Sequence, residues 1–242
     1  MQKAQNDNFD EFAANYREVH TENVQKLSGK DSEYFSEYKI VELSRRFDTD
    51  KKIRILDLGC GDGICSKFFR SIFKNSSYTG IDISEESVDV AKKQYSSLGD
   101  VSFEVYDGEH IPFEDNSFDL VFIACVMHHI KSDKHKQIVS ECRRVLKDQG
   151  SLVIFEHNPN NPVTMKAVNT CPFDKDAVLM KSKYLKRLMT DCGLAGAKVR
   201  YTIFIPRVGI LEKLVPLERG LYWCPMGGQY YVTAKKQEVP PE

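Results

Sequence analysis

The segment Ile53-Arg-Ile-Leu-Asp-Leu58, running straight into Gly59-Cys-Gly-Asp-Gly63, constrains this chain more than any other stretch. A short apolar run reads as a buried strand, and glycines directly after it allow a tight turn that a ligand can approach at the backbone. A helix through Phe68 and Phe69 is expected next, which completes a strand–turn–helix unit. The same rhythm continues downstream. Strands are expected at 77–82, 101–106, 117–124 and 150–156, with a helix opening at Ser84 and another over 132–146. Ser84 is a side-chain N-cap, and Glu85 and Glu86 place negative charge near the positive helix end. Two further strands are expected at 198–205 and 228–234. Alternating strands and helices imply a parallel sheet covered on both faces, a doubly wound, Rossmann-like α/β fold.

Ahead of this alternation, Phe9, Phe12, Ala13 and Tyr16 stand at helical spacing, and a second helix is expected over 32–47. No repeat and no Gly/Ser linker divides the 242 residues. The expectation is one domain over 1–242, made of a helical cap (1–50), a ligand-binding core (51–157) and an acceptor-side insert with the last strands (158–242). The formal net charge of -1 supplies no global field toward nucleic acid or an anionic membrane, so neither is expected as a partner. No apolar run approaches the ~18 residues of a spanning helix. The polar start MQKAQNDNFDEF is unlike a secretory signal. Seven cysteines without a C-x-x-C pair argue for free thiols in a reducing, cytoplasmic setting, and against a disulfide frame or a cysteine zinc site. The expected state is a monomer or a homodimer.

In doubly wound sheets the ligand lies across the carboxyl ends of the strands. Asp57, Asp82, Asp107, Cys125, His128 and Glu156 all fall at those ends. The glycine spacing is G-x-G-x-G and not the dinucleotide G-x-G-x-x-G. Asp57, two positions before the first glycine, would repel a pyrophosphate and welcome an ammonium or a sulfonium. Asp82 suits a pair of ribose hydroxyls, and Asp107 the amino group of an adenine. Taken singly, each aspartate is also ordinary turn chemistry.

The stretches ILDLGCGDG (55–63), YTGIDIS (78–84), YDGEHIPFEDNSFDLVF (106–122), ACVMHHI (124–130) and RRVLKDQGSLVIFEH (143–157) resemble the class I S-adenosylmethionine-dependent methyltransferases, in particular the ubiquinone-biosynthesis-like small-molecule group. The resemblance covers the central hundred or so residues and speaks to the cofactor, not to the acceptor. It implies a seven-stranded sheet with a reversed final hairpin. It implies that Asp57, Gly59 and Gly61 hold the methionine half of S-adenosylmethionine, Asp82 and Ile83 the ribose and adenine, and Asp107 with Gly108 the adenine edge. Cys60, Glu109 and Cys125 border the same site. Tyr16 is similar to a tyrosine that closes over the cofactor's carboxylate in related enzymes.

Methyl transfer to oxygen or nitrogen calls for a base titrating near neutrality, which points to histidine. His128, His129 and His157 are the catalytic candidates; each has a packing role as its alternative. Glu156 could hold an acceptor, orient His157 or cap the loop. A hard cation held by Glu156, His157 and His128 is the lesser alternative, and no metal is expected. His20, His110 and His135 read as surface or turn residues. Acceptor-pocket residues are sought in Tyr16, Tyr34, Phe35, Tyr38, the insert after strand five, Tyr222, Trp223, Gln229 and Tyr230, with Trp223 either a lid wall or an anchor for the last strand. The function implied is methylation of an O or N atom of a small molecule, with a sugar or secondary metabolite favoured. The alternatives are a non-catalytic cofactor-binding module and an RNA or protein methyltransferase. The place of an Asn/Asp-Pro-Pro-aromatic turn reads Ala124-Cys-Val-Met-His-His129, which speaks against a nucleobase.

Overall fold

The computed structural model describes residues 30–171, 174 and 176–237. Phe9, Phe12, Ala13, Tyr16 and His20 lie outside the described residues. Seven strands form one sheet: β1 (Arg54–Leu58), β2 (Ser77–Asp82), β3 (Val101–Val105), β4 (Phe118–Ala124), β5 (Leu146–His157), β6 (Leu194–Thr202) and β7 (Gln229–Lys236), in the order β3-β2-β1-β4-β5-β7-β6. The first five are parallel, whereas β7 inserts antiparallel between β5 and β6. This is the doubly wound, Rossmann-like sheet with its reversed final hairpin.

Side chains alternating along the strands feed two apolar clusters, one per face. Leu56 and Leu58 join Ile138, Val139 and Cys142 of α4 (His135–Val145) and Leu185 and Met189 of α6 (Ser182–Asp191). Ile53 and Ile55 join Ile40 and Leu43 of α1 (Ser32–Ser44), Phe68 and Phe69 of α2 (Ile64–Ile72) and Val88 of α3 (Glu85–Tyr95). A strand buried on both faces has to be apolar throughout, which is why β1 reads as a run and not as an alternation. Ser84 caps α3 as expected, its Oγ accepting from the Ser87 amide at 3.1 Å. The remaining helix, α5 (Pro162–Thr170), follows β5, capped by Asn161.

Several boundaries move. The chain passes from α4 directly into β5 at Leu146, not at 150, and a register shift between Phe118 and Leu120 absorbs the extra residues. The helix itself opens at His135 and not at 132. β6 spans Leu194–Thr202 and does not reach 205. Residues 203–205 leave the sheet because the Phe204 and Ile205 amides donate to Glu218 Oε1, at 2.7 and 2.6 Å, instead of to a neighbouring strand.

Candidate functional site

A cavity of about 740 Å³ lies over the carboxyl ends of β1, β2, β4 and β5, walled by α1 and α5. On one side is the glycine turn. Gly59 and Cys60 amides donate to Ile81 O at 2.8 and 3.1 Å, and the Gly61 amide donates to Asp82 Oδ2 at 2.8 Å. The turn and Asp82 therefore fix each other. Gly59 has φ +77°, and a Cβ there would stand 2.4 Å from Val126 Cγ2. Gly61, at φ +51°, has no atom of the described residues within 4 Å of where a Cβ would point, so its backbone is bare on the cavity wall. Ile83, Asp107, Gly108 and Glu109 continue this wall. Asp107 accepts from the His110 and Glu109 amides at 2.7 and 2.8 Å, which holds its carboxyl below the usual range.

Beneath the turn, Asp57 is buried and accepts from the Tyr78 hydroxyl at 2.6 Å. Burial raises its pKa to about 7, and the Tyr78 bond opposes the rise. Lys39, a buried lysine of α1, also lines the cavity.

The other side is built by the ends of β4 and β5. Cys125 sits at φ +59°, a left-handed conformation that turns the chain out of β4 into the short helical turn Met127–His129. Glu156, fully buried at the end of β5, takes the Met127 amide on Oε1 at 2.9 Å and His128 Nδ1 on Oε2 at 2.6 Å. Asp174 brings an oxygen to 3.6 Å from His128 Nε2 and 3.5 Å from His129 Nε2. The His128 ring lies 4.1 Å from the His129 ring and 5.3 Å from the His157 ring, between centroids. Burial disfavours charge on His128, but Glu156 and Asp174 prevail and raise it to about 10. Burial, and then the His128 charge, push His129 and His157 down to about 4.

The far wall is α5, through Asn161 and Thr164, and residues 203–207. Asn158 fastens this wall: its Nδ2 donates to Pro225 O at 2.9 Å and Gly227 O at 2.7 Å. Arg207 and Glu218 form a buried two-bond pair at 2.7 and 2.8 Å behind it. Gln229 also lines the cavity, and its Oε1 is buried without a hydrogen-bond partner among the described residues.

A methyltransferase-domain family profile matches residues 55–150. Demethylmenaquinone methyltransferase of Thermotoga maritima is 35% identical over 123 residues, 51% of this chain and 50% of that protein. The ubiquinone/menaquinone biosynthesis C-methyltransferase of Hahella chejuensis is 32% identical over 144 residues, 55% of this chain and 57% of that protein. The chain thus spans about half the length of these curated relatives. Residues 55–150 are thus a methyltransferase domain, and the chain is similar to the class I S-adenosylmethionine-dependent methyltransferases. A solved S-adenosylmethionine-dependent methyltransferase of Archaeoglobus fulgidus shares the fold, with a TM-score of 0.65 at 17% identity over 88% of this chain and 97% of that one.

The cofactor of such methyltransferases is S-adenosylmethionine, and the wall built by the glycine turn fits it. The bare Gly61 permits close backbone approach, and Asp57, Asp82 and Asp107 favour a cation carrying hydroxyl and amino groups over a phosphate. Asp57, Gly59, Cys60, Gly61, Asp82, Ile83, Asp107, Gly108, Glu109, Cys125, His128, His129 and His157 all border the one cavity.

Other expectations are corrected. Tyr34, Tyr38 and Tyr222 line a separate hollow of about 210 Å³ with Glu42 and Glu218, and of the cap aromatics only Phe35 among the described residues reaches the main cavity. Tyr230 is core, its hydroxyl donating to Met180 O. Trp223 is 75% exposed and neither anchors β7 nor walls the cavity. His135 is buried: its Nδ1 pairs with Tyr184 and its Nε2 with the Met127 and Ile130 carbonyls, bracing the histidine turn. Glu156 orients His128, not His157. Sequence reasoning missed Lys39, Asp174 and the Arg207–Glu218 pair. A lysine on the apolar face of α1, beside Ile40 and Leu43, was the one available signal for Lys39.

Proposed function

We propose that this methyltransferase methylates an oxygen or nitrogen atom of a small-molecule acceptor, a sugar or secondary metabolite being the favoured class, and that His157 takes the acceptor's proton. The observation that carries this reading is the pairing, in one cavity, of the acidic glycine turn with a wall of histidine and carboxylate groups. Bound S-adenosylmethionine supplies an electrophilic methyl group on a sulfonium sulfur. Asp57 and the turn at Gly59 and Gly61 would hold its amino-acid end, Lys39 its carboxylate, Asp82 the ribose, and Asp107 with Gly108 the adenine.

Alignment and exclusion of water then fall to the rest of the cavity. His157, kept neutral at pH 7 by burial and the His128 charge, offers a nitrogen lone pair. Its pKa of about 4 lies below the near-neutral range sought for the base, so it takes the proton as methylation makes the acceptor cationic. His128, drawn between Glu156 and Asp174, is a fixed positive group and not a proton acceptor. Gln229, opposite His157 in the β5–β7 register, presents its buried Oε1 to a donor on the acceptor.

The test is to incubate the protein with S-adenosylmethionine and a panel of sugars, phenols and amines. S-adenosylhomocysteine and the methylated product are then followed by mass spectrometry. His157→Gln should lower kcat by about 10²–10⁴-fold, the usual contribution of a positioned base, with S-adenosylhomocysteine affinity unchanged. Product methylated at carbon, or no product with any acceptor, would overturn the reading.

A further inference from the structure

Asp174 stands at ion-pair distance from two histidines of the acceptor wall, farther than a well-formed hydrogen bond. Asp174 Oδ1 lies 3.6 Å from His128 Nε2 and 3.5 Å from His129 Nε2. Hydrogen bonds of this type run at about 2.7–3.2 Å. Two ligands on a tetrahedral ion with bonds of about 2.0–2.1 Å are instead about 3.3–3.4 Å apart. All three ligand atoms fall within 4.8 Å of one another. We infer that His128 Nε2, His129 Nε2 and an Asp174 oxygen form a binding site for a divalent transition-metal ion of the zinc type, at the acceptor end of the cavity.

The surroundings of His128 are those of a metal ligand. Glu156 is fully buried, faces Nδ1 at 2.6 Å and is itself anchored by the Met127 amide. Metal binding displaces the Nε2 proton that His128 carries in the metal-free chain. With Nδ1–H given to Glu156 the ring then directs its lone pair through Nε2, and such carboxylate–histidine pairs typically stand behind bound metals. Two imidazoles and one carboxylate are also a usual donor set for zinc and its neighbours. The number of protein ligands matters as well. Three leave one corner of a tetrahedron for a substrate atom, as in catalytic sites, whereas structural sites are closed by four. His128, His129 and Asp174 all line the cavity, so that corner is reachable by an acceptor. An acceptor oxygen or nitrogen placed there would be oriented and made more acidic beside His157. The role of the ion, though not its binding, rests on the reading of this wall as the acceptor side.

The test uses the full chain after treatment with a chelator, titrated with Zn²⁺ by calorimetry and with Co²⁺ by visible absorption. Saturable one-to-one binding and the intense bands of tetrahedral cobalt are expected. Asp174→Asn and His129→Gln should abolish the bands. Glu156→Gln, which touches His128 and not the ion, should weaken binding by about 10–100-fold. S-adenosylhomocysteine titrations on each variant verify that the fold is intact. Absence of saturable binding, or unchanged affinity in Asp174→Asn, would overturn the site. So would methyl transfer by protein that binds neither metal. If cobalt binds as expected while no acceptor is ever methylated, the acceptor reading fails and the metal site stands.

Discussion

Asp57 ties the chemistry of the donor site to pH. Its pKa stands at about 7 in the folded chain, against about 3.9 for an unfolded aspartate. The folded state thus favours the protonated form. This group's contribution to stability is complete below about pH 4 and is lost as pH rises through about 7. A bound ammonium reverses the preference and selects the carboxylate. Binding then expels a proton, and affinity for S-adenosylhomocysteine should climb by up to about tenfold per pH unit below the pKa and level off above it. Calorimetry between about pH 5.5 and 8.5 checks this. Asp57→Asn should flatten the profile and weaken binding. Tyr78→Phe, which removes the bond opposing the shift, should move the midpoint upward. A flat wild-type profile would refute the coupling. At this scale Asp57, Asp82 and Asp107 were legible because strand ends are readable positions. Tyr78 was not, since its bond to Asp57 depends on which strands lie side by side. Asp174 was equally hidden: it comes from a loop beyond α5, and no sequence spacing announces it beside His128.

Between elements, one side chain holds the acceptor wall together. Asn158 follows β5 and bonds both the Pro225 and Gly227 carbonyls, which brings the segment leading into α5 against the turn preceding β7. Asn161 and Thr164 add bonds to Met226 O and Gly228 O at 2.7 and 2.8 Å. Asn158→Ala leaves two carbonyls short of their donor and should cost about 1–3 kcal/mol. Because the glycine turn lies on the far side of the cavity, acceptor KM should rise while S-adenosylhomocysteine affinity holds. Steady-state kinetics set beside calorimetry would show it, and a matching loss of cofactor affinity would contradict it. The strand β6 shows why such walls resist prediction. Its apolar pattern continues through Ile203, Phe204 and Ile205, yet the chain peels away there because Glu218 takes the Phe204 and Ile205 amides. Periodicity reports which residues suit a strand and not which carboxylate competes for the backbone. The expected helix end at 146 overshoots by one residue for a related reason, since the apolar face continues unbroken into β5 at Leu146.

Across the whole molecule, the glycine turn and residues 203–207 lie on different sides of one cavity. Residues 55–150 carry the family match and, Lys39 apart, the donor wall. The histidine wall draws on both this stretch and the region after it, and the Arg207–Glu218 pair lies wholly in the latter. Two perturbations should therefore separate. Glu218→Gln strands the Arg207 guanidinium, which is 2% exposed, without its carboxylate. Removing one partner of a buried pair costs about 3–5 kcal/mol, and for a chain of this size each kcal/mol moves Tm by about 2–4 °C. The variant should melt well below the wild type. Its donor wall is untouched, however, so saturating S-adenosylhomocysteine at a hundredfold excess over Kd should still add about 2.7 kcal/mol, or roughly 5–11 °C. Asp57→Asn, near-isosteric with a carboxyl that is half protonated at pH 7, should show the converse: a near-normal Tm without ligand and a much smaller increment with it. Thermal melts of the three proteins, with and without S-adenosylhomocysteine at fixed concentration, decide the matter. If Glu218→Gln also erased the ligand increment, the two walls would be one cooperative unit and the division drawn between them would be wrong.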